Sequence, residues 1–240
     1  MKHDLAVVMP VYNEEACIAT VVRDWIMQLS SMEMSFTIIV LNDGSKDNTQ
    51  EVLAACATDP RVQVINKPNS GHGPTILQGY RMAVKQAQWV FQVDSDNEIA
   101  AANFPMLWEE HNSYDMLIGV RDGRQQPLPR KVISMISRLI VRLFYGTGVT
   151  DVNCPFRLMR ASVLEKMLMY IPDNTFAPNV AISGMFALSR RPVANVPVPH
   201  AGRTTGEVSI KKWKLFKAAL KSCIQTLRIR LRLKKRELTL

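Results

Sequence analysis

The sequence has few cysteines and no long hydrophobic run, and these two shortages narrow the possible classes of protein. Its four cysteines lie far apart and form neither a metal-ligand spacing nor a disulfide pattern, so we expect a reducing compartment. The longest candidate for a membrane-spanning helix, "VISMISRLIVRLFYG", is interrupted by Arg138 and Arg142 and falls short of the ~18 apolar residues that a span requires. The amino-terminal apolar run is short and followed at once by acids, which is not typical of a signal peptide.

Acidic residues are also under-represented, and the net charge is +9 over 240 residues. Such an excess predicts an anionic partner, which can be a phosphorylated substrate, a nucleic acid or a membrane surface. The apolar fraction of 47% is typical of a globular protein with one sizeable core. No internal repeat or low-complexity linker divides the chain. We predict one domain over residues 1–205 and a basic, amphipathic helical tail over residues 206–240.

Strand-like segments alternate with helical segments in the first hundred residues. The predicted strands are "DLAVVMPVY", "FTIIVL", "RVQVIN" and "WVFQV", and the helices between them are "EEACIATVVRDWIMQLSSM", "TQEVLAACAT" and "TILQGYRMAVKQA". This order predicts an α/β fold with a mostly parallel sheet flanked by helices. A polar cluster follows every strand, at residues 13–15, 42–43, 66–67 and 94–96. Because parallel strands share their carboxyl edge, we expect a binding site there.

The second half of the chain has a less regular pattern. "YDMLIGVR" predicts one more strand, and "KVISMISRLIVRLFYG" predicts an amphipathic helix. "VTDVNCPFRLMRASVLEKML" predicts a turn, a short strand and a helix. "PVANVPVPH" contains three prolines and is therefore predicted to be an edge strand, where a missing N–H is tolerated.

Three acidic residues, Asp94, Asp96 and Glu98, crowd the end of the fourth predicted strand. In extended backbone Asp94 and Asp96 point the same way, and like charges at a buried strand end repel each other. Mg²⁺ or Mn²⁺, with substrate phosphates completing the coordination shell, would relieve that repulsion. We therefore predict a divalent-cation site, and the alternative is a solvated acidic turn.

Seven segments carry a resemblance to a known family. In chain order they are "VVMPVYNEE", "LNDGSKDNT", "NSGHGPTILQGYRMA", "QVDSDNE", "RKVIS", "DVNCPFRLM" and "RTTGEVS". The chain resembles the family 2 glycosyltransferases with the Rossmann-like GT-A fold. Within them it is most similar to the polyprenyl-phosphate glycosyltransferases of the dolichyl-phosphate mannose synthase type. The resemblance implies inverting, metal-dependent transfer of a sugar from a nucleotide-diphosphate sugar to a membrane polyprenyl phosphate.

The resemblance also assigns roles on the donor side. It implies that the nucleotide sugar is held by Pro10, Tyr12, Glu14, Asp43, Gly71, Asp94 and Arg203, that Asp94, Asp96 and Glu98 hold the metal, and that the catalytic residues are Asp96, Asp151 and Arg203. The family usually has Gln where this chain has Glu98. Structural alternatives are an Asx turn at Asp43, a plain turn at Gly71, a helix cap at Glu98 and an ordinary surface arginine at Arg203.

On the acceptor side, the resemblance implies that Arg121, Arg130 and Ser134 grip the lipid phosphate. Arginine forks suit phosphate oxygens. A phosphate acceptor is already anionic, whereas a sugar hydroxyl needs a general base. Asp151 has three possible roles, which are to orient an acceptor arginine, to act as a base, or to cap a turn. If Asp151 is a base, the rival function is extension of a glycan through a hydroxyl group. A non-catalytic nucleotide-sugar-binding subunit is a further alternative, which the paired acids disfavour.

The tail predicts contact with a membrane. Residues 211–236 contain no acid and interleave apolar residues with lysines and arginines, as in helices that lie on anionic membrane surfaces. The alternative is a helix packed on the domain with a solvated basic face. Many members of the family carry membrane-spanning helices after this point, so a separate membrane protein is a candidate partner. No nucleic-acid recognition module is present in the sequence, and we expect a peripheral protein at the cytoplasmic face of the membrane.

Overall fold

The computed structural model describes the backbone of residues 2–122, 128–200 and 212–235, and the side chains of residues 2–121, 134–200 and 220–233. The strands are β1 (His3–Val11), β2 (Phe36–Asn42), β3 (Val62–Asn66), β4 (Ala87–Gln92), β5 (Met116–Asp122), β6 (Arg157–Arg160) and β7 (Val193–Pro199). The helices are α1 (Ile18–Ser30), α2 (Thr49–Cys56), α3 (His72–Gln86), α4 (Pro105–Trp108), α5 (Leu128–Phe144), α6 (Ala161–Leu168), α7 (Pro178–Ser189) and α8 (Lys212–Lys235). Short 3₁₀ helices lie at Ala101–Asn103 and His111–Ser113.

The strands form one sheet in the order β3-β2-β1-β4-β6-β5-β7. Strands β1 to β4 run parallel to one another. Strand β6 is antiparallel to β4 and to β5, and β5 is parallel to β7. Consequently β5 ends, and β6 begins, at the same edge where β1 to β4 end. The predicted α/β class with a mostly parallel sheet is confirmed, and the proline-containing β7 is an edge strand.

An aromatic cluster fixes the sheet beneath this edge. Trp25 of α1 packs against Phe91 of β4 at 5.2 Å between ring centroids, and Phe91 packs edge-on against Phe156 at 4.8 Å. These rings are buried, and edge-on pairs at this distance are favourable beyond their area. Because Phe156 directly precedes β6, the cluster holds the start of β6 beside the end of β4.

Several elements differ from the sequence prediction, among them α4 and the two 3₁₀ helices, which were not predicted. Helix α1 begins at Ile18 rather than Glu14, because residues 14–17 form a turn in which the Glu14 N–H donates to Thr49 Oγ1 at 2.9 Å. Strand β4 ends at Gln92, so Asp94 and Asp96 follow the strand instead of extending it. Helix α7 was not predicted: most of its residues are buried, so it lacks the apolar periodicity by which amphipathic helices are identified.

Helix α8 packs on the domain through one side. Its residues Ser222, Thr226, Ile229 and Leu233 are buried, and α8 contacts α5 and α7. The hydroxyl of Tyr145 donates to the carbonyl oxygen of Thr226 at 2.6 Å. The packing predicted as an alternative for the tail is therefore present over this helix. Among the helices that the structure describes, none is long and apolar enough to cross a membrane.

Candidate active site

The polar clusters after β1, β2 and β3 meet at the carboxyl edge of the sheet. Asn42 Nδ2 donates to Asn66 Oδ1 at 2.9 Å, and the backbone N–H of Asn13 donates to Ser45 Oγ at 3.0 Å. The Lys46 N–H donates to Asn13 Oδ1 at 2.8 Å. These cross-links stiffen the loops that frame the predicted donor site, as the strand order led us to expect.

Asp43 ties two of these loops together. Its carboxylate accepts the backbone N–H groups of Ser70 at 2.8 Å and Gly71 at 2.9 Å, and it pairs with the ammonium group of Lys67. Burial alone would raise the pKa of Asp43, but the hydrogen bonds from Lys67 and Ser70 outweigh it and hold the pKa below its usual range. The side chain that bonds to the turn after β2 is Asn42 rather than Asp43, because Asn42 Oδ1 accepts the Ser45 N–H at 3.1 Å. Asp43 is therefore ionised and fixed, and its contact with a nucleotide stays a prediction.

The glycines directly before α3 and in its first turn are required for different reasons. Gly71 has φ of +90° with open space around it, a backbone conformation that favours glycine. A Cβ on Gly73 would lie 2.3 Å from the carbonyl oxygens of Thr175 and Phe176. Close packing explains Gly73 without a ligand, whereas Gly71 leaves room for one.

The other predicted donor residues lie around the end of β1. Pro10 is buried within the strand, Tyr12 is half-buried directly after it, and Glu14 is buried in the following turn. Cys17 Sγ lies 3.2 Å from Glu14 Oε2 and 3.6 Å from the carbonyl oxygen of Ser95. This contact brings the β1 turn beside the acidic turn, and the donor roles of these residues stay predictions.

The three acids line a single pocket, even though they are not in a strand. A turn at residues 95–96 and the left-handed Asn97, with φ of 54°, place them around the same space. Its lining residues are Val93, Asp94, Asp96, Glu98, Ile99, Arg121, Pro155 and Phe156. The pocket therefore combines acids, one arginine and an apolar wall.

Two histidines and Arg121 lie beside these acids. His200 Nε2 lies 2.9 Å from Glu98 Oε2, and His72 Nε2 lies 3.8 Å from Asp94 Oδ1. His200 was missed by sequence reasoning, because 102 positions separate it from Glu98. Within the described ranges no group of three His, Cys, Asp or Glu side chains is arranged to hold a metal ion. All three acids line the pocket, and Glu98 and Asp94 each also lie beside a histidine.

Arg121 and Asp151 form a two-pronged ion pair beside this pocket. Arg121 lies at the carboxyl end of β5, and Asp151 lies in the loop before β6. Arg121 Nε is 2.8 Å from Asp151 Oδ2, and Arg121 Nη2 is 3.0 Å from Asp151 Oδ1. Burial opposes the charge on Arg121, but Asp151 outweighs it and raises the pKa of the guanidinium. Of the three roles considered for Asp151, this geometry favours orientation of an arginine.

A second pocket is lined in part by Asp151. Its lining residues are Ser134, Ser137, Arg138, Asp151, Val152 and Asn153. The predicted Ser134 is therefore close to Asp151, although it does not line the acidic pocket. Ser137 and Arg138 were missed, but their spacing of three and four from Ser134 places them on the same helical face and would have identified them.

Two predicted residues cannot be placed in this site. Arg203 lies outside the described residues, and Arg130 lies in α5 with its side chain outside them. Their roles at the donor diphosphate and the acceptor phosphate stay predictions.

Comparison with known proteins adds a family to this geometry. Residues 6–168 match the sequence model of the family "Glycosyl transferase family 2". An undecaprenyl-phosphate 4-deoxy-4-formamido-L-arabinose transferase from Pseudomonas paraeruginosa is 31% identical over 233 residues, which cover 95% of this chain and 67% of that protein. Its counterpart from Pectobacterium atrosepticum is 29% identical over 234 residues, covering 95% of this chain and 69% of that protein.

Solved structures support the same fold. Glucosyl-3-phosphoglycerate synthase from Mycobacterium tuberculosis, in complex with Mg²⁺ and UDP, superposes with a TM-score of 0.69 at 18% identity, covering 95% of this chain and 79% of that one. The complex of that enzyme with Mn²⁺, UDP and glucosyl-3-phosphoglycerate gives a TM-score of 0.67 at 17% identity, covering 95% and 80%. At this identity the likeness establishes the GT-A type of fold.

Proposed function

Because the chain belongs to glycosyl transferase family 2, we propose that it moves a sugar from a nucleotide-diphosphate sugar to a membrane polyprenyl phosphate. The observation that carries this proposal is the position of Arg121. Its guanidinium lies between the acidic pocket and Asp151, where an anionic acceptor would meet a metal-bound donor. The names of the similar undecaprenyl-phosphate transferases support the same acceptor class.

The donor side fits a divalent cation. Asp94 and Asp96 both line one pocket, and Mg²⁺ is commonly bound by one or two carboxylates plus substrate phosphates. When bound, Mg²⁺ or Mn²⁺ would neutralise the charge that develops on the departing nucleotide diphosphate. Asp94 and Asp96 would hold it, while the Glu98–His200 contact anchors the far end of the acidic turn. Arg203 would close over the diphosphate, in keeping with its predicted role.

On the acceptor side, Arg121 and Ser134, together with Arg130, would hold the phosphate. A phosphate oxygen forms the new bond to the anomeric carbon as the bond from that carbon to the diphosphate breaks, and the diphosphate leaves with the electron pair. No proton has to be removed from the acceptor, because its phosphate is already anionic near neutral pH. Asp151, paired with Arg121, would then orient that arginine. This role disfavours the alternative hypothesis, in which Asp151 is the general base for a hydroxyl acceptor. One displacement gives inversion, so an α-linked donor yields a β-linked sugar phosphate.

The acceptor class is tested with purified protein, MnCl₂ and a panel of UDP-sugars, using undecaprenyl phosphate or soluble oligosaccharides as acceptor. We expect transfer to the lipid alone, with a β linkage by proton NMR. Arg130→Ala should lower lipid-dependent turnover roughly 10- to 150-fold, because one charge-assisted phosphate contact is lost. Its affinity for UDP should equal that of the wild type. Arg23→Ala, at an exposed position of α1, is the control. Transfer to a saccharide hydroxyl, or a retained α linkage, contradicts the proposal.

Helices α5 and α8 present a surface that suits the headgroup region of a membrane. Their exposed apolar residues are Met135, Ile136, Leu139, Leu143, Phe144, Leu220, Ile224 and Leu231. Exposed arginines lie among them, at Arg138, Arg142, Arg228 and Arg232. Apolar side chains interleaved with cations bind anionic lipid surfaces, to which each cation contributes on the order of 1 kcal/mol. We propose that this surface holds the protein at the cytoplasmic face of the membrane, with or without a separate membrane protein.

Membrane docking predicts a specific loss of vesicle binding. The double variant Leu139→Ser, Leu143→Ser should reduce co-sedimentation with phosphatidylglycerol vesicles at least about 10-fold, because insertion of a large apolar side chain is worth roughly 1.5–3 kcal/mol. The control is the double variant Met27→Ser, Met169→Ser. It removes similarly exposed apolar residues from α1 and from the turn after α6 and should bind vesicles like the wild type. Equal losses in both variants would mean that the α5 surface has no particular role.

A further inference from the structure

A buried arginine lies beneath the acceptor side of the site. Arg157 has no exposed surface, and among the described residues no carboxylate pairs with it at salt-bridge distance. Its guanidinium instead donates to backbone carbonyl oxygens of Cys154 at 2.7 and 2.8 Å, of Val152 at 3.3 Å, and of Asn179 at 3.2 Å. A buried cation is costly to desolvate, and its donors are satisfied by the loop that carries Asp151 and by α7.

This arrangement fixes the loop before β6 from below. Ser183 of α7 lies 3.4 Å from Arg157 Nη1, and its hydroxyl donates to the Val152 carbonyl oxygen at 2.9 Å. Two groups on different elements thus hold the residue that directly follows Asp151. The direction of the Asp151 carboxylate, and hence of Arg121, depends on that hold.

A second branch of the same network reaches the donor side. The hydroxyl of Tyr80 lies 3.0 Å from Asn179 Oδ1 and donates to the side-chain oxygen of Gln92. Gln92 Nε2 in turn lies 3.4 Å from Asp94 Oδ1. Tyr80, Gln92 and Asn179 are all buried, where a hydrogen bond is stronger and an unmade one costlier than in water.

We propose that Arg157 and Tyr80, which meet at Asn179, are positioning residues that hold Asp151 and Asp94 in register across the site. Asn179 serves both branches, with its backbone carbonyl facing Arg157 and its side chain facing Tyr80. The inference rests on the proposed function in one respect, namely that Asp151 belongs to the acceptor side and Asp94 to the donor side. Each branch therefore controls one substrate.

The acceptor branch is tested with Ser183→Ala, a milder change than loss of buried Arg157. The KM for undecaprenyl phosphate should rise about 3- to 10-fold, as expected for one lost hydrogen bond, while the KM for the donor is unchanged. Ser189→Ala is the matched control, because Ser189 lies on the same helix and its hydroxyl donates, within the part of the chain that the structure describes, to the Phe186 carbonyl oxygen alone. Amide hydrogen exchange of residues 150–156 should also be faster in Ser183→Ala than in Ser189→Ala.

The donor branch is tested with Tyr80→Phe and calorimetric titration of UDP in the presence of MnCl₂. Affinity should fall about 3- to 10-fold, with the acceptor KM unchanged. Tyr145→Phe removes another buried hydroxyl, one that joins α5 to α8, and should bind Mn²⁺–UDP like wild type.

Two results would overturn the proposal. One is that Ser183→Ala matches Ser189→Ala in both acceptor KM and hydrogen exchange. The other is that each variant weakens both substrates equally, as general destabilisation would. If the wild type does not transfer sugar to the lipid, the proposed function is contradicted but the positioning proposal is not. Hydrogen exchange and Mn²⁺–UDP affinity then still decide whether the two branches act separately.

Discussion

Asp96→Asn is expected to weaken binding of Mn²⁺–UDP roughly 100- to 1,000-fold, since one metal-bound carboxylate contributes several kcal/mol. Turnover should fall by a similar factor. Asp94, Asp96 and Glu98 line one pocket, and the Glu98 carboxylate lies 2.9 Å from His200 Nε2, so we expect Asp94 and Asp96 to be the main ligands. Isothermal calorimetry with and without a chelator gives the affinity, and the chelator should abolish wild-type binding.

Two comparisons make this result specific. Asp173→Asn removes an exposed carboxylate that pairs with Arg81 at 2.7 Å, and its affinity for Mn²⁺–UDP should equal that of wild type. Glu98→Gln removes the charge of a carboxylate that lies beside His200 and should reduce affinity far less than Asp96→Asn. A metal at this turn is ruled out by two results together: the chelator leaves the UDP affinity of the wild type unchanged, and Asp96→Asn binds UDP as tightly as the wild type.

The fold was predictable because its signals are local. Four buried strands each end in a polar cluster, and parallel strands bring those ends to one edge. The same logic placed Arg121 at the end of β5 and the prolines of β7 on the sheet edge. Helix α7 shows where this approach fails, because a helix that is buried along most of its length has no polar face to reveal its period.

The site was predictable only as separate pieces. Spacing predicted a metal site at Asp94 and Asp96, and the arginine-rich loop together with the family resemblance predicted Arg121 at the acceptor phosphate. The partner of each group comes from distant sequence: His200 meets Glu98 across 102 positions, and Asp151 meets Arg121 across 30. Without the tertiary fold, the choice between a base and an orienting group at Asp151 had to stay open.

Asp151→Asn is expected to reduce transfer to undecaprenyl phosphate roughly 150- to 5,000-fold. Removing one partner of a partly buried ion pair costs about 3–5 kcal/mol, and Asp151 and Arg121 are 19% and 7% exposed in their side chains. If the two act as a unit, Arg121→Ala should give a comparable loss, and the double variant should be little worse than either single one. The matched control is Asp115→Asn, which disrupts ion pairs to Arg160 and Arg191 before β5, at the opposite edge of the sheet.

The same variants distinguish an orienting group from a general base. If Asp151 orients Arg121, Asp151→Asn acts mainly through the acceptor KM and leaves the shape of the pH–rate profile unchanged, since no proton is transferred to it. If Asp151 is a base, kcat falls, the acidic limb of the profile disappears, and the effects of Asp151→Asn and Arg121→Ala add. Thermal unfolding of each variant, measured alongside Asp115→Asn, separates lost stability from lost function. Additive effects together with a lost acidic limb would replace the lipid phosphate by a hydroxyl acceptor.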